Sequence, residues 1–322
     1  MPRIEIDYES EGFAPGGPVS NGSGVLVTSW DELLWAALTV GRPNRQYVFR
    51  HGVASVYEAL FRWSLVRMAL EQSGPAAYRL RRTMAAKTLD PSEKGAINYF
   101  LGLAICKLFA DKLLQTPWLM HLDVFRPGLN AILAGRSRPD LVGQLLTGGW
   151  IVLECKGRVS APSAQVKIKA KEQAERLTSV NGQSPLFSVG GIAYFRADVL
   201  RFYWRDPPPD SSRPARPIEV RADETVWRYY YQPILALVRS QPVFHDRMLS
   251  EPTLMPVEGL DLQVGILPKV LHLLDQENWS DARFVAREST PEPDRTGYHA
   301  DGIRVVAGST WLRPFEGEGT NF

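Results

Sequence analysis

Three ionisable residues stand close together in an otherwise apolar part of the chain. Asp140 lies in the run Ser137-Arg138-Pro139-Asp140-Leu141-Val142-Gly143, and Glu154 and Lys156 close the run Gly149-Trp150-Ile151-Val152-Leu153-Glu154-Cys155-Lys156-Gly157. The second run is nearly continuous in apolar residues and bounded by glycines, which predicts a buried strand. Side chains alternate along a strand, so Trp150, Val152, Glu154 and Lys156 share one face, and Ile151, Leu153 and Cys155 the other. A hairpin between the two runs sets Asp140 beside Glu154. Converging carboxylates repel one another and lose hydration, so they persist where a cation neutralises them or one of them keeps its proton. An all-oxygen donor set suits Mg²⁺ or Mn²⁺. The bland alternative is a surface ion pair between Glu154 and Lys156 at a strand end, with Asp140 merely opening a turn after Pro139.

Several elements must hold these residues in place. Asp90-Pro91-Ser92-Glu93 is a strong helix start, and apolar residues on nearly every side from 92 to 115 predict a helix buried all round. Trp118 to Phe125 reads as a strand carrying His121 and Asp123 on one face. After the hairpin, Ser163 to Thr178 predicts a helix whose packing stripe is Val166, Ala170, Ala174 and Leu177, with Gln173 inside the arc and Lys169 and Arg176 on its flank. A glutamine turned toward a sheet needs a partner. By the same phase Lys167 and Lys171 point away from the sheet. Pro185 to Phe195 and Val199 to Trp204 read as two further strands of a mixed sheet.

With Pro139-Asp140 as PD and Glu154-Cys155-Lys156 as ExK, residues 92–206 resemble the PD-(D/E)XK, or restriction-endonuclease-like, nuclease superfamily. The ExK triplet alone arises by chance about once in a chain of this length; the preceding Pro-Asp, the apolar strand and the basic helix that follows give it weight. The resemblance implies an α/β fold, a restriction-endonuclease-like core with a central mixed β-sheet flanked by helices. It implies a Mg²⁺-dependent (or Mn²⁺-dependent) phosphodiesterase acting on nucleic acid, DNA first. Asp140, Glu154 and the main-chain carbonyl of Cys155 would hold the metal, Lys156 would act on water and phosphate, and Gln173 and Lys169 would reach the substrate phosphate. Glu93, on the first core helix, and Asp123 are further candidate acids, although Glu93 also reads as an acid matched to a helix dipole. Prokaryotic defence or DNA processing is the setting such a resemblance suggests. A nuclease-fold binding or assembly subunit, inactive alone or controlled by a protein partner or a second copy, is the rival expectation.

Between Arg42 and Arg82 eight arginines (42, 45, 50, 62, 67, 79, 81, 82) face only Glu58 and Glu71, so the segment is basic; Arg79, Arg81 and Arg82 are candidate contacts to a phosphate backbone or solvated surface charges. The whole chain, at 322 residues with net charge +2, neither demands nor excludes nucleic acid. Two cysteines, Cys106 and Cys155, are too few for a disulfide framework or thiolate zinc site. No stretch reaches membrane-spanning length and Met1-Pro2-Arg3-Ile4-Glu5 lacks a signal-peptide core, so a cytoplasmic protein is expected. The expected organisation is a flexible tail (1–24), a basic helical region (25–91), the nuclease core (92–206), a Pro-rich linker (207–217) and a mostly helical extension (218–322) whose aromatic stripe (Trp227, Tyr230, Tyr231) reads as core.

Overall fold

The computed structural model describes residues 3–41, 54–72, 78–125, 138–208, 218–222, 224–240, 254–257, 259–289 and 297–313. It is α/β, with a mixed central sheet flanked by helices. In chain order the elements up to the sheet's far edge are β1 (Ile4–Glu11), β2 (Gly22–Thr28), α1 (Trp30–Thr39), α2 (Ala54–Ala69), β3 (Leu70–Gln72), β4 (Leu80–Arg82), α3 (Met84–Thr88), α4 (Pro91–Leu114) and β5 (Trp118–His121). Then come β6 (Leu141–Gln144), β7 (Trp150–Arg158), α5 (Ala164–Ala174), β8 (Leu177–Val180), β9 (Phe187–Arg196) and β10 (Val199–Arg205). The sheet runs β2-β1-β10-β9-β7-β6-β5, with β4 also pairing to β10. β7 and β9 are parallel, joined through α5, as are β1 and β10, and the other pairs are antiparallel.

α4 covers one face of this sheet and α5 the other. Asp90 caps α4, and the reciprocal contact of Glu93 to the Asp90 N–H (3.3 Å) completes a capping box. Two glycines let α4 sit close: a Cβ on Gly157 would lie 1.6 Å from the Asn98 carbonyl oxygen, and one on Gly102 would lie 2.8 Å from the Gly157 nitrogen. On the opposite face Gly190 opens the same kind of notch for α5, where a Cβ would meet the Lys171 nitrogen at 2.7 Å and the Ala170 carbonyl carbon at 2.8 Å. The β6–β7 turn is closed by Leu145 N–H to Gly149 O (2.8 Å) and needs Gly148 at φ +96.

Residues 1–24, expected to be a flexible tail, contain β1 and the start of β2, both inside the main sheet. The alternation of Ile4, Ile6 and Tyr8 with charged residues is a strand signal that the glycine-rich stretch after it obscured. The expected basic region (25–91) also joins the sheet of residues 92–206, since β4 pairs with β10. The Pro-rich linker falls largely outside the described residues. Beyond it lie β11 (Ile218–Val220), paired with β8, then α6 (Thr225–Ser240), β12 (Met255–Val257), β13 (Leu262–Ile266), α7 (Pro268–Asp275), α8 (Trp279–Ser289) and β14 (Ile303–Ala307). The C-terminal part thus holds a three-stranded sheet as well as helices, and it shares one continuous core with α1, α2 and α4. Trp227, Tyr230 and Tyr231 are buried in that core. At its centre the fully buried Asp301 accepts hydrogen bonds from Trp35 Nε1 (2.9 Å) and the Tyr230 hydroxyl (2.6 Å), with the buried Lys107 ammonium 3.3 Å from that hydroxyl. Among the described residues no helix is long and apolar enough to cross a membrane.

Candidate active site

β6 pairs with β7 only as far as Leu141 opposite Leu153, and Asp140 stands where that pairing stops. Its backbone is pinned from both sides: Asp140 N–H donates to Leu153 O (3.2 Å), and Asp140 O accepts from Leu122 N–H (2.8 Å). Its side chain then turns onto β7, where Oδ2 accepts the Cys155 N–H at 2.9 Å. In an extended strand the N–H and C=O of one residue leave by the same edge. The Cys155 carbonyl therefore lies on the Asp140 edge of β7.

Glu154 points to the α5 face and is only 4% exposed. Its Oε1 accepts from Lys156 Nζ at 2.6 Å, and the same ammonium donates to Gln173 Oε1 at 2.8 Å. Glu154 Oε2 is buried and has no hydrogen-bond donor. Burial, and then the charge of Asp140, push the Glu154 carboxyl up from 4.5 to about 8, while Lys156 opposes the rise. Asp140 is also raised, by burial, against the Cys155 N–H, Lys156 and Arg138. The two carboxyls share one environment and favour holding one proton, or one cation, between them.

The structure therefore brings together Asp140, Glu154, Cys155, Lys156 and Gln173. Asp123 is nearby but engaged: Arg138 Nη2 lies 2.6 Å from its Oδ1. Its strand also ends early, because β5 stops at His121 and a 3₁₀ turn (Leu122–Phe125) carries Asp123. Glu93 is exposed and committed to the capping box. Lys169 is exposed on α5, whereas Lys171, expected to point to solvent, is 5% exposed and bonds Asp206 (2.6 Å) and the Ser188 carbonyl (2.8 Å). The reason is the Gly190 notch, which centres the helix contact on the 170–171 peptide, and Leu177 belongs to β8 and not to the helical stripe.

The basic segment is partly accounted for as well. Arg42, Arg45 and Arg50 lie outside the described residues. Arg79 pairs with Asp7 (2.6 Å) and Glu5 (3.5 Å), and Arg82 with Asp198 (2.5 Å), while Arg81 is exposed. The acids that meet these arginines come from β1 and the β9–β10 turn, which a local charge count does not see.

Two residues at the site carry no sequence signal of their own. Arg138, next to the Pro-Asp pair, links Asp123 to the field at Asp140. Tyr99 on α4 has its hydroxyl pushed up by burial and then by the negative charge of Asp140. A lone basic residue before a motif, and an aromatic on a helix that is apolar all round, look ordinary until the fold places them.

The donor set fits a hard divalent cation in kind: two carboxylates, one with a buried oxygen lacking a donor, and a main-chain carbonyl. Among the described residues there is no group of three or more His, Cys, Asp or Glu that could hold a metal ion, so the protein's own side-chain donors here are the two carboxylates. Comparison with protein-family models, with curated proteins and with solved structures finds no match to the chain.

Proposed function

We propose that the chain is a divalent-metal-dependent nuclease with a restriction-endonuclease-like core, hydrolysing phosphodiester bonds of nucleic acid, DNA in the first instance. The observation that carries this reading is the buried Glu154 carboxylate, with Oε2 lacking a donor, set against Asp140 where the β6–β7 pairing ends. A fold that only needed an ion pair has no use for the second acid, whose repulsion and desolvation are unfavourable.

Asp140, Glu154 Oε2 and the Cys155 carbonyl would hold Mg²⁺ or Mn²⁺, which when bound supplies Lewis-acid polarisation of the phosphate and a lowered water pKa. The chain's own groups do the positioning. Gln173 Oε1 and Glu154 Oε1 hold Lys156 Nζ from two sides, so its remaining proton points to a fixed spot beside the carboxylates. There it orients the attacking water and stabilises charge on a non-bridging phosphate oxygen as the new P–O bond forms and the bond to the leaving oxygen breaks. Arg138, held by Asp123, offers a second cation on the Asp140 side.

A second reading, a nuclease-fold binding subunit without turnover, draws on the 2.6 Å Lys156–Glu154 pair, which satisfies the lysine internally. One experiment separates them: plasmid, linear DNA and RNA incubated with the full chain in Mg²⁺, Mn²⁺ or chelator, together with Mn²⁺ calorimetry. The nuclease reading expects metal-dependent cleavage, loss of cleavage and of Mn²⁺ binding in Asp140→Ala and Glu154→Ala, and loss of cleavage with Mn²⁺ binding retained in Lys156→Ala. Mn²⁺ binding unchanged in both carboxylate variants sinks the site assignment.

A further inference from the structure

β7 and α5 are the two walls of a groove that starts at the candidate active site and continues past it. Side chains two residues apart on a strand share a face, so Arg158 stands on the Glu154–Lys156 face of β7, one step beyond Lys156. From the other wall Gln173 meets Lys156 Nζ at 2.8 Å, and Lys169, four residues earlier on α5, shares the face of Gln173. The helix runs antiparallel to the strand. Its Ala170–Lys171 peptide packs at Gly190, which pairs with Glu154, whereas Val166 packs against the cluster that includes Tyr194, which pairs with Arg158. Four residues of helix rise about 6.0 Å and two residues of strand about 6.6 Å, so the step from Gln173 to Lys169 nearly equals the step from Lys156 to Arg158. Arg158 and Lys169 therefore stand opposite each other one level beyond the Lys156–Gln173 contact.

Both are exposed, and among the described residues neither has a hydrogen bond or an ion pair. Other cations of the same two elements are engaged: Lys156 by Glu154 and Gln173, Lys167 by Glu9 at 3.8 Å, and Lys171 by Asp206. The first turn of α5 holds no acid, so the helix end capped by Ser163 adds its partial positive charge at this end of the groove. Two like charges set opposite each other repel, and an anion between them turns that repulsion into attraction.

We propose that Arg158 and Lys169 form a second phosphate subsite, which holds the phosphate one nucleotide away from the one cleaved at Asp140 and Glu154. The proposal rests on the nuclease reading and deepens it: the substrate is a polynucleotide that continues at least one nucleotide past the cleaved bond, toward the N-terminal end of α5. A metal ion is repelled by two cations, and a base brings no negative charge to them. Neighbouring phosphates of one strand are a single sugar apart, and the groove repeats its positive charge at a single strand step.

The test is the salt dependence of DNA binding by the full chain in chelator, where cleavage is off, read by fluorescence anisotropy on a labelled duplex. Each phosphate contact adds about 0.9 to the slope of log K against log salt, which is about 8-fold in affinity at 0.1 M salt for a contact worth nothing at 1 M. Arg158→Gln combined with Lys169→Gln is expected to flatten the slope by about 0.9 and to weaken binding by about that factor. Arg158→Lys, which keeps the charge, should bind like the parent, and Lys269→Gln, at an exposed lysine on α7, should leave the slope unchanged. The proposal is overturned if the double variant keeps the parent slope, if Lys269→Gln flattens it equally, or if the double variant loses binding to polyglutamate, an anionic chain without phosphates, and not to DNA. Metal-dependent cleavage of plasmid by the parent protein, measured separately, tells the two failures apart. Cleavage by the parent with an unchanged slope in the double variant removes the subsite only, and a flattened slope where the parent cleaves nothing removes the nuclease reading and leaves the phosphate contact.

Discussion

Replacing Glu154 by glutamine isolates what it costs to hold two carboxyls together. Glutamine keeps the shape of a protonated glutamate and never ionises. In the metal-free protein the Glu154 carboxyl is raised from 4.5 to about 8, chiefly by burial and then by Asp140. A folded-state pKa above the unfolded one means that Glu154 favours folding fully below pH 4.5 and that this contribution disappears as pH climbs through 8. At about 1.4 kcal/mol per pH unit, the loss is about 3 kcal/mol by pH 7 and about 5 kcal/mol by pH 9, the opposing pull of Lys156 being already included. The glutamine variant escapes it. Urea unfolding in chelator should therefore give similar stabilities near pH 5 and favour Glu154→Gln increasingly toward pH 9. Mn²⁺ should reverse the order, adding about 2.7 kcal/mol to the parent protein at a hundredfold excess over Kd and little to the variant. Calorimetry at pH 7 in buffers of different ionisation heat should also show protons released as Mn²⁺ binds the parent. Parallel pH profiles, or a variant less stable than the parent at pH 9, would refute the reasoning that these carboxyls strain against each other.

Three other outcomes follow from the contacts described. Arg138→Ala removes a cation that both a phosphate and a metal would feel, so it should weaken DNA binding and tighten Mn²⁺ binding; two shifts of the same sign would show that Arg138 only supports the loop. Lys171→Ala should destabilise the fold measurably in urea, by about 1 to 3 kcal/mol, because it removes the ammonium bonded to the Asp206 carboxylate and leaves that group only the Ser188 N–H, whereas Lys169→Ala should leave stability unchanged. Converting Arg79, Arg81 and Arg82 together to glutamine should flatten the salt slope of DNA binding by about one and not by about three, since Arg79 and Arg82 already face Asp7 and Asp198; a slope change near three would mean those pairs open for phosphate.

The hairpin and its helices were legible because their signals are local. The glycine-bounded apolar run became β7, Asp90-Pro91-Ser92-Glu93 became a capped start at Pro91, and the spacing of Asp140 and Glu154 placed them at one sheet end. Gln173, read as needing a partner, meets Lys156. What sequence concealed depends on residues distant along the chain. Lys171 reads as a solvated lysine until Asp206 and the Gly190 notch are known, and Arg79 reads as free charge until β1 brings Asp7 to it. Period and composition register what a residue prefers among its neighbours in sequence; they carry no record of a counter-charge far along the chain. The short strands of the C-terminal part were missed for a related reason, since β12 and β13 are too brief to establish alternation.

The bond from Trp35 to Asp301 spans 266 positions of sequence, and Lys107 on α4 is buried against the same acid's partner, Tyr230. A ribosome adding roughly 5–20 residues per second takes on the order of 10 to 50 s to make that interval. Until it has done so, α1 and α4 lack the carboxylate that offsets the Lys107 charge and caps the Trp35 indole. The helix that backs Lys156 and Gly157 thus gains its buried counter-charge only after residue 301 has been made. Before that point the face of α4 that carries Lys107 has a buried ammonium and no carboxylate to answer it.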